Sequence, residues 1–135
     1  MSGCVLGTGI DLVETARMRD TLERWNERFK ARTFHPNECE YCDSKAFPWL
    51  HYAARFAVKE AVSKAFGTGI GPHIGLLDME VKNDPNGKPS VILTDSGRRM
   101  ADERGVKEIM ISLSHTHEYA VAQAILVGPC GESAS

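Results

Sequence analysis

The sequence predicts an α+β fold in which an antiparallel sheet packs around one long helix. Three observations carry this. From Pro48 onward, a stretch reaching Phe66 holds Val58, Ala61, Val62, Ala65 and Phe66 at helical spacing, an apolar stripe. Residues 79–84 and 90–94 read as strands around Asp84-Pro85-Asn86-Gly87, a strong turn signal. Residues 107–114 and 119–127 alternate as a second strand pair, joined at 115–118. Hairpins connect antiparallel strands, so strands and helices are segregated rather than interleaved.

At 135 residues the chain fits one domain, here expected over residues 1–127, with 128–135 as a disordered tail. Its apolar share of 42% and charged share of 25% are ordinary for a soluble protein. No apolar run approaches the roughly 20 residues of a membrane-spanning helix. The first residues lack a basic segment before an apolar one, so they do not read as a signal peptide. The expected location is the cytoplasm. There Cys4, Cys39, Cys42 and Cys130 are expected as reduced thiols.

The chain opens with a strand over 5–13. Gly7 and Gly9 inside it signal a bulge or a close backbone approach. Thr15 is a candidate cap for a first helix, where Met18, Leu22, Trp25 and Phe29 form an amphipathic stripe read as core. Residues 17–32 carry six basic side chains against three acidic ones, which suits an acidic partner. A short helix is expected over 36–44, then the long helix, with Pro48 in its first turn and Gly67 ending it. Thr94 or Asp95 is the expected cap of a last helix, ended by Gly105.

Chemistry gathers around the long helix. Glu60 and Lys64 point away from the apolar stripe, one turn apart, and Gly67, Gly69 and Gly71 leave the following backbone bare. A carboxylate, an ammonium and backbone N–H groups in a small space suit a divalent metal and a phosphate. The plainer alternative is a surface Glu–Lys pair, worth about 0.2–0.5 kcal/mol to a helix. Asp11 reads either as a strand-end acid bonding nearby backbone or as a second carboxylate converging with Glu60 on Mg²⁺. The loop is neither a P-loop nor a G-x-G-x-x-G turn.

Four stretches together resemble the holo-[acyl-carrier-protein] synthase family of 4′-phosphopantetheinyl transferases. They are GTGIDLVE at 7–14, RFAVKEAVSKAFGTGIG at 55–71, NGKP at 86–89 and SLSHTHEYAVAQAIL at 112–126. Residues 30–50 depart from the pattern. The resemblance implies transfer of phosphopantetheine from coenzyme A to a serine of apo acyl carrier protein, with Mg²⁺, in support of fatty acid or polyketide synthesis. It implies Asp11 and Glu60 as metal ligands and Asp11, Glu60 and Lys64 as the catalytic set. It implies Arg55, Lys64, Gly67, Thr68, Gly69, His115 and Thr116 as contacts to coenzyme A, and Arg17 as a contact to the carrier protein. It also implies a homotrimer with sites between subunits, and neither nucleic acid nor membrane as partner.

Two other classes compete. A non-catalytic module binding coenzyme A or a carrier protein would lack one of Asp11, Glu60 and Lys64, and all three are present. A structural zinc site built on Cys39, Cys42, His115 and His117 lacks the tight, recurring ligand spacing of zinc ribbons and fingers.

Overall fold

The computed structural model describes residues 3–131. Strand β1 (Gly3–Glu14) leads into helices α1 (Thr15–Thr33), α2 (Pro36–Asp43) and α3 (Pro48–Phe66). A 3₁₀ turn (Leu76–Asp78) precedes β2 (Met79–Asn83) and β3 (Pro89–Leu93), then come α4 (Asp95–Glu103), β4 (Glu108–His115) and β5 (Tyr119–Pro129). The α+β class holds, with all strand pairs antiparallel.

The strands form two sheets, one ordered β1-β5-β4 and one made of β2 and β3. The central strand β5 turns Ala120, Ala122, Ala124 and Leu126 toward α3, and all four are buried. Alanines there let the helix come close. Gly7 and Gly9 do the same on β1: a Cβ at either would overlap the carbonyl oxygen of Ala65 or Ala61. A register shift between Val5 and Gly7 adds the bulge, so both expectations for these glycines are met.

Helix α3 is held from its other side by a buried ion pair. Lys59 Nζ lies 2.8 Å from Glu38 Oε1 and donates to the Thr33 carbonyl at 2.7 Å. Glu38 also accepts the Val81 N–H at 2.9 Å and the His35 N–H at 2.9 Å. Both charged side chains are fully buried. Burial pushes the Lys59 ammonium down from its ordinary range, and Glu38 opposes that. The cluster ties α1, α2 and β2 to one face of α3 and sets the helix's rotation.

Four expectations need correction. Trp25 is half exposed rather than core, because Asn26 takes a non-helical φ of 35° that kinks α1 and breaks the stripe's phase. Thr15 is not the cap of α1: Glu14 holds that position, and the Thr15 hydroxyl donates to the His117 carbonyl. The segment after 127 is not wholly disordered, since β5 runs on to Pro129 against Gly3; residues 132–135 lie outside those described. Finally, Cys4 and Cys130 are not free thiols but a disulfide, brought together by the pairing of β1 with β5. Cys39 and Cys42 are free, the latter buried.

Candidate active site

Asp11 lies on edge strand β1 and faces α3, because alternation puts Ile10 and Leu12 on the outer face of the sheet. Glu60 and Lys64 follow one another by a turn on α3. Lys64 Nζ stands 2.8 Å from Asp11 Oδ1 and donates to the Ile10 carbonyl at 3.2 Å. Asp11 and Glu60 line a cavity of about 620 Å³, walled by the exposed Arg17 and by Met18, Phe29 and Phe56. Burial raises the Glu60 carboxyl above its ordinary value, and the neighbouring Asp11 charge adds to this while Lys64 opposes it. The Asp11, Glu60, Lys64 and Arg17 of the sequence reading thus meet in one place.

Arg55 and His115 do not meet them. They line a second cavity of about 180 Å³ with Tyr41, His51 and Asn83. Arg55 and Glu60 are five positions apart on α3, about 140° around a helix of 3.6 residues per turn. His115 ends β4, the opposite edge of the sheet from β1. The two cavities therefore flank α3, one at each sheet edge. Arg55 is buried, with Nη1 donating to the Val81 carbonyl and Nη2 to Asn83 Oδ1 at 2.7 Å. Thr116 forms the β4–β5 turn, its Oγ1 accepting the N–H groups of Glu118 and Tyr119 at 3.2 and 3.1 Å.

Against known proteins, residues 7–124 match the model of the 4′-phosphopantetheinyl transferase superfamily. The chain belongs to that superfamily. This phosphopantetheinyl transferase is 46% identical over 124 residues to the holo-[acyl-carrier-protein] synthase of Syntrophus aciditrophicus, covering 92% of this chain and 97% of the relative. Its fold is similar to that of holo-[acyl-carrier-protein] synthase from Neisseria meningitidis, with a TM-score of 0.84, 26% identity, and coverage of 91% and 98% of the two chains. A Bacillus anthracis holo-(acyl-carrier-protein) synthase, solved in complex with CoA, superposes with a TM-score of 0.77 at 36% identity, covering 92% and 97% of the chains.

One feature of the transferase's glycine loop departs from the sequence reading. The N–H groups of Gly67 and Gly69 donate to the Lys64 and Ser63 carbonyls at 2.9 and 3.2 Å, closing the end of α3. They are not bare donors for a phosphate. What the loop offers is room: a Cβ at Gly67, Gly69 or Gly71 would meet nothing within 4 Å. Thr68 is half-buried and its hydroxyl donates to the Gly69 carbonyl at 2.9 Å.

The zinc alternative finds no assembled ligand set. Among the described residues no three His, Cys, Asp or Glu side chains cluster. Burial pushes the Cys42 thiol up to about 12. Sequence reasoning missed Phe29 and Phe56 as cavity walls, and His51, Tyr41 and Asn83 in the second cavity. For His51 a signal existed: it precedes Arg55 by four positions and so shares its helix face.

Proposed function

We propose that the protein transfers 4′-phosphopantetheine from coenzyme A to a serine hydroxyl of apo acyl carrier protein, leaving adenosine 3′,5′-bisphosphate. The observation that carries this is the convergence of Asp11 and Glu60 on one cavity, with Lys64 bonded to Asp11. The residues fit Mg²⁺: Asp11 and Glu60 share the cavity, and Asp11 is one cause of the raised Glu60 carboxyl, a repulsion that a divalent cation relieves. When bound, Mg²⁺ would be held by Asp11 and Glu60 and would neutralise charge on the pyrophosphate.

The reaction breaks the bond between the pantetheine-bearing phosphorus and its bridging pyrophosphate oxygen, and forms a bond from that phosphorus to the serine oxygen. Such transfer depends on positioning and charge neutralisation rather than covalent help. Glu60 also serves as the acceptor of the serine proton. Lys64 adds a fixed cation against the departing phosphate. Arg17, exposed at the cavity rim, meets an acidic carrier protein. The open glycine loop lets the nucleotide pass close to the backbone.

In this reading Arg55, His115 and Thr116 contact coenzyme A from a neighbouring subunit of a homotrimer. Two observations support it. Within one chain the Arg55–His115 cavity lies on the other flank of α3 from Asp11 and Glu60. The outer face of the sheet also leaves Ile10, Leu12 and Met110 more than half exposed, beside half-buried Val121 and Ile125, an apolar surface suited to a second copy. A cytoplasmic role in fatty acid or polyketide synthesis completes the reading.

The test is incubation with coenzyme A, Mg²⁺ and apo carrier protein. The carrier's mass should rise by one phosphopantetheine; an unchanged mass overturns the proposal. For assembly, Glu60→Gln and His115→Ala chains, each nearly inactive, should recover part of the activity when co-expressed as mixed trimers. Proven mixed trimers without recovery would overturn the shared site.

A further inference from the structure

The second cavity contains more than Arg55 and His115. His51, one turn before Arg55, brings its ring to 5.1 Å from that of His115, edge-on at 71°. Tyr41 of α2 packs against His51 at 6.0 Å and lies under the Arg55 guanidinium at 4.2 Å. Lys45, between α2 and α3, holds its ammonium 4.5 Å from the same Tyr41 ring. The guanidinium is anchored at both Nη atoms, while Nε is buried without a partner. Of the cavity's lining side chains, none is a carboxylate. Two histidines and a fixed guanidinium thus line a small space that has no carboxylate in its wall, with an ammonium nearby.

We infer that His51 is a further binding residue for the phosphomonoester of coenzyme A, acting with His115 and Arg55, and that it takes up a proton as the phosphate binds. The inference rests on the reading above that Arg55 and His115 face coenzyme A. The pyrophosphate belongs beside Asp11, Glu60 and Lys64, which leaves the monoester for this cavity. A phosphomonoester carries about −1.5 to −2 charges near neutral pH, more than Arg55 alone balances.

Every charged group facing His51 pushes the same way. Burial lowers its affinity for a proton first, followed by His115 of β4, Lys45 of the α2–α3 connection and Arg55 of α3. Empty, the cavity keeps His51 neutral at neutral pH. An arriving dianion reverses the local field, and His51 becomes a second cationic donor. Coenzyme A binding then draws a proton from solvent and strengthens as pH falls from 8.5 to 6.

The experiment is calorimetric titration of the whole protein with coenzyme A and with 3′-dephospho-coenzyme A. Buffers of different ionisation heat at pH 7.5 count the protons, and affinities are measured at pH 6, 7 and 8.5. Wild type should take up protons with coenzyme A but not with the dephospho form. Its preference for coenzyme A should grow about tenfold toward pH 6, the effect of one charge-assisted contact. His51→Gln should cut the uptake and flatten the preference. His51→Lys, with a permanent charge, should keep the preference at pH 8.5 with lower proton uptake. If the two ligands bind wild type equally at every pH, the cavity does not hold the monoester, and both this inference and its underlying assignment fall. If discrimination persists but proton uptake is unchanged in both variants, only the role of His51 is overturned.

Discussion

Lys64 bonds to Asp11 rather than to Glu60, its neighbour one turn back on the same helix. The ammonium neutralises the strand's carboxylate and leaves the helix's carboxylate raised by burial and by Asp11. Asp11 is thus paired and Glu60 unpaired before any cation arrives.

Asp11→Asn and Glu60→Gln should each cut transfer by about 100-fold or more. Mg²⁺ should raise the melting temperature of wild type and of neither variant, since only ligands of the native state stabilise it. The folded state holds the Glu60 proton more tightly than the unfolded chain does, whose value is near the ordinary 4.5. Glu60 therefore costs stability above its folded value, and the cost vanishes as pH falls below 4.5. Without metal at pH 7, Glu60→Gln should melt no lower than wild type by calorimetry.

Gly9→Ala and Gly67→Ala should part company. The first drives a methyl into the Ala61 carbonyl oxygen and pushes β1 from α3. It should cost about 1–3 kcal/mol or more in chemical denaturation and lower transfer, because Asp11 is two residues on. The second meets open space and is strained only by a φ of 83°, a cost of about 1 kcal/mol.

Glu38→Ala should be the more damaging change at the buried pair. It leaves the Lys59 ammonium fully buried and without its carboxylate, a loss of about 3–5 kcal/mol. Adding Lys59→Met removes the stranded charge and should restore part of the stability in urea melts. A double variant no better than the single would show that the pair's geometry, not its charge, holds α3.

Arg17→Glu should raise the apparent KM for carrier protein about tenfold or more and that for coenzyme A little, because it places like charges at the cavity rim. Salt titration should weaken the wild-type interaction and have less effect on the variant.

What was legible in the sequence was periodic or punctuated. The stripe on α3, Pro48 at its start, Gly67 at its end and the turn at 84–87 each act over a few residues. Gly7 and Gly9 announced a close approach correctly. Pairing of β1 with β5 was not visible, because its partners stand more than a hundred residues apart and alternation names no partner. Without it neither the Cys4–Cys130 bond nor the extension of β5 could be seen. Trp25 failed because the break at Asn26 is a backbone event within an intact pattern. For Lys59 and Glu38 the sequence analysis named no role, and the folded chain buries both. At the site, the Asp11–Glu60–Lys64 grouping was anticipated, while the separation of Arg55 and His115 onto the far flank of α3 depends on strand order.

Cys4 and Cys130 close the first and last described strands on each other, their Cα atoms 4.9 Å apart where β1 already pairs with β5. Between Cys4 and Cys130 the backbone is therefore nearly a ring. A short linker across that gap, with a cut in the turn between α4 and β4, would give a circular permutant. It would keep every strand pairing and leave both cavities on uncut elements. Whether such a reordered chain still folds would separate the demands of the architecture from the order of its elements along the chain.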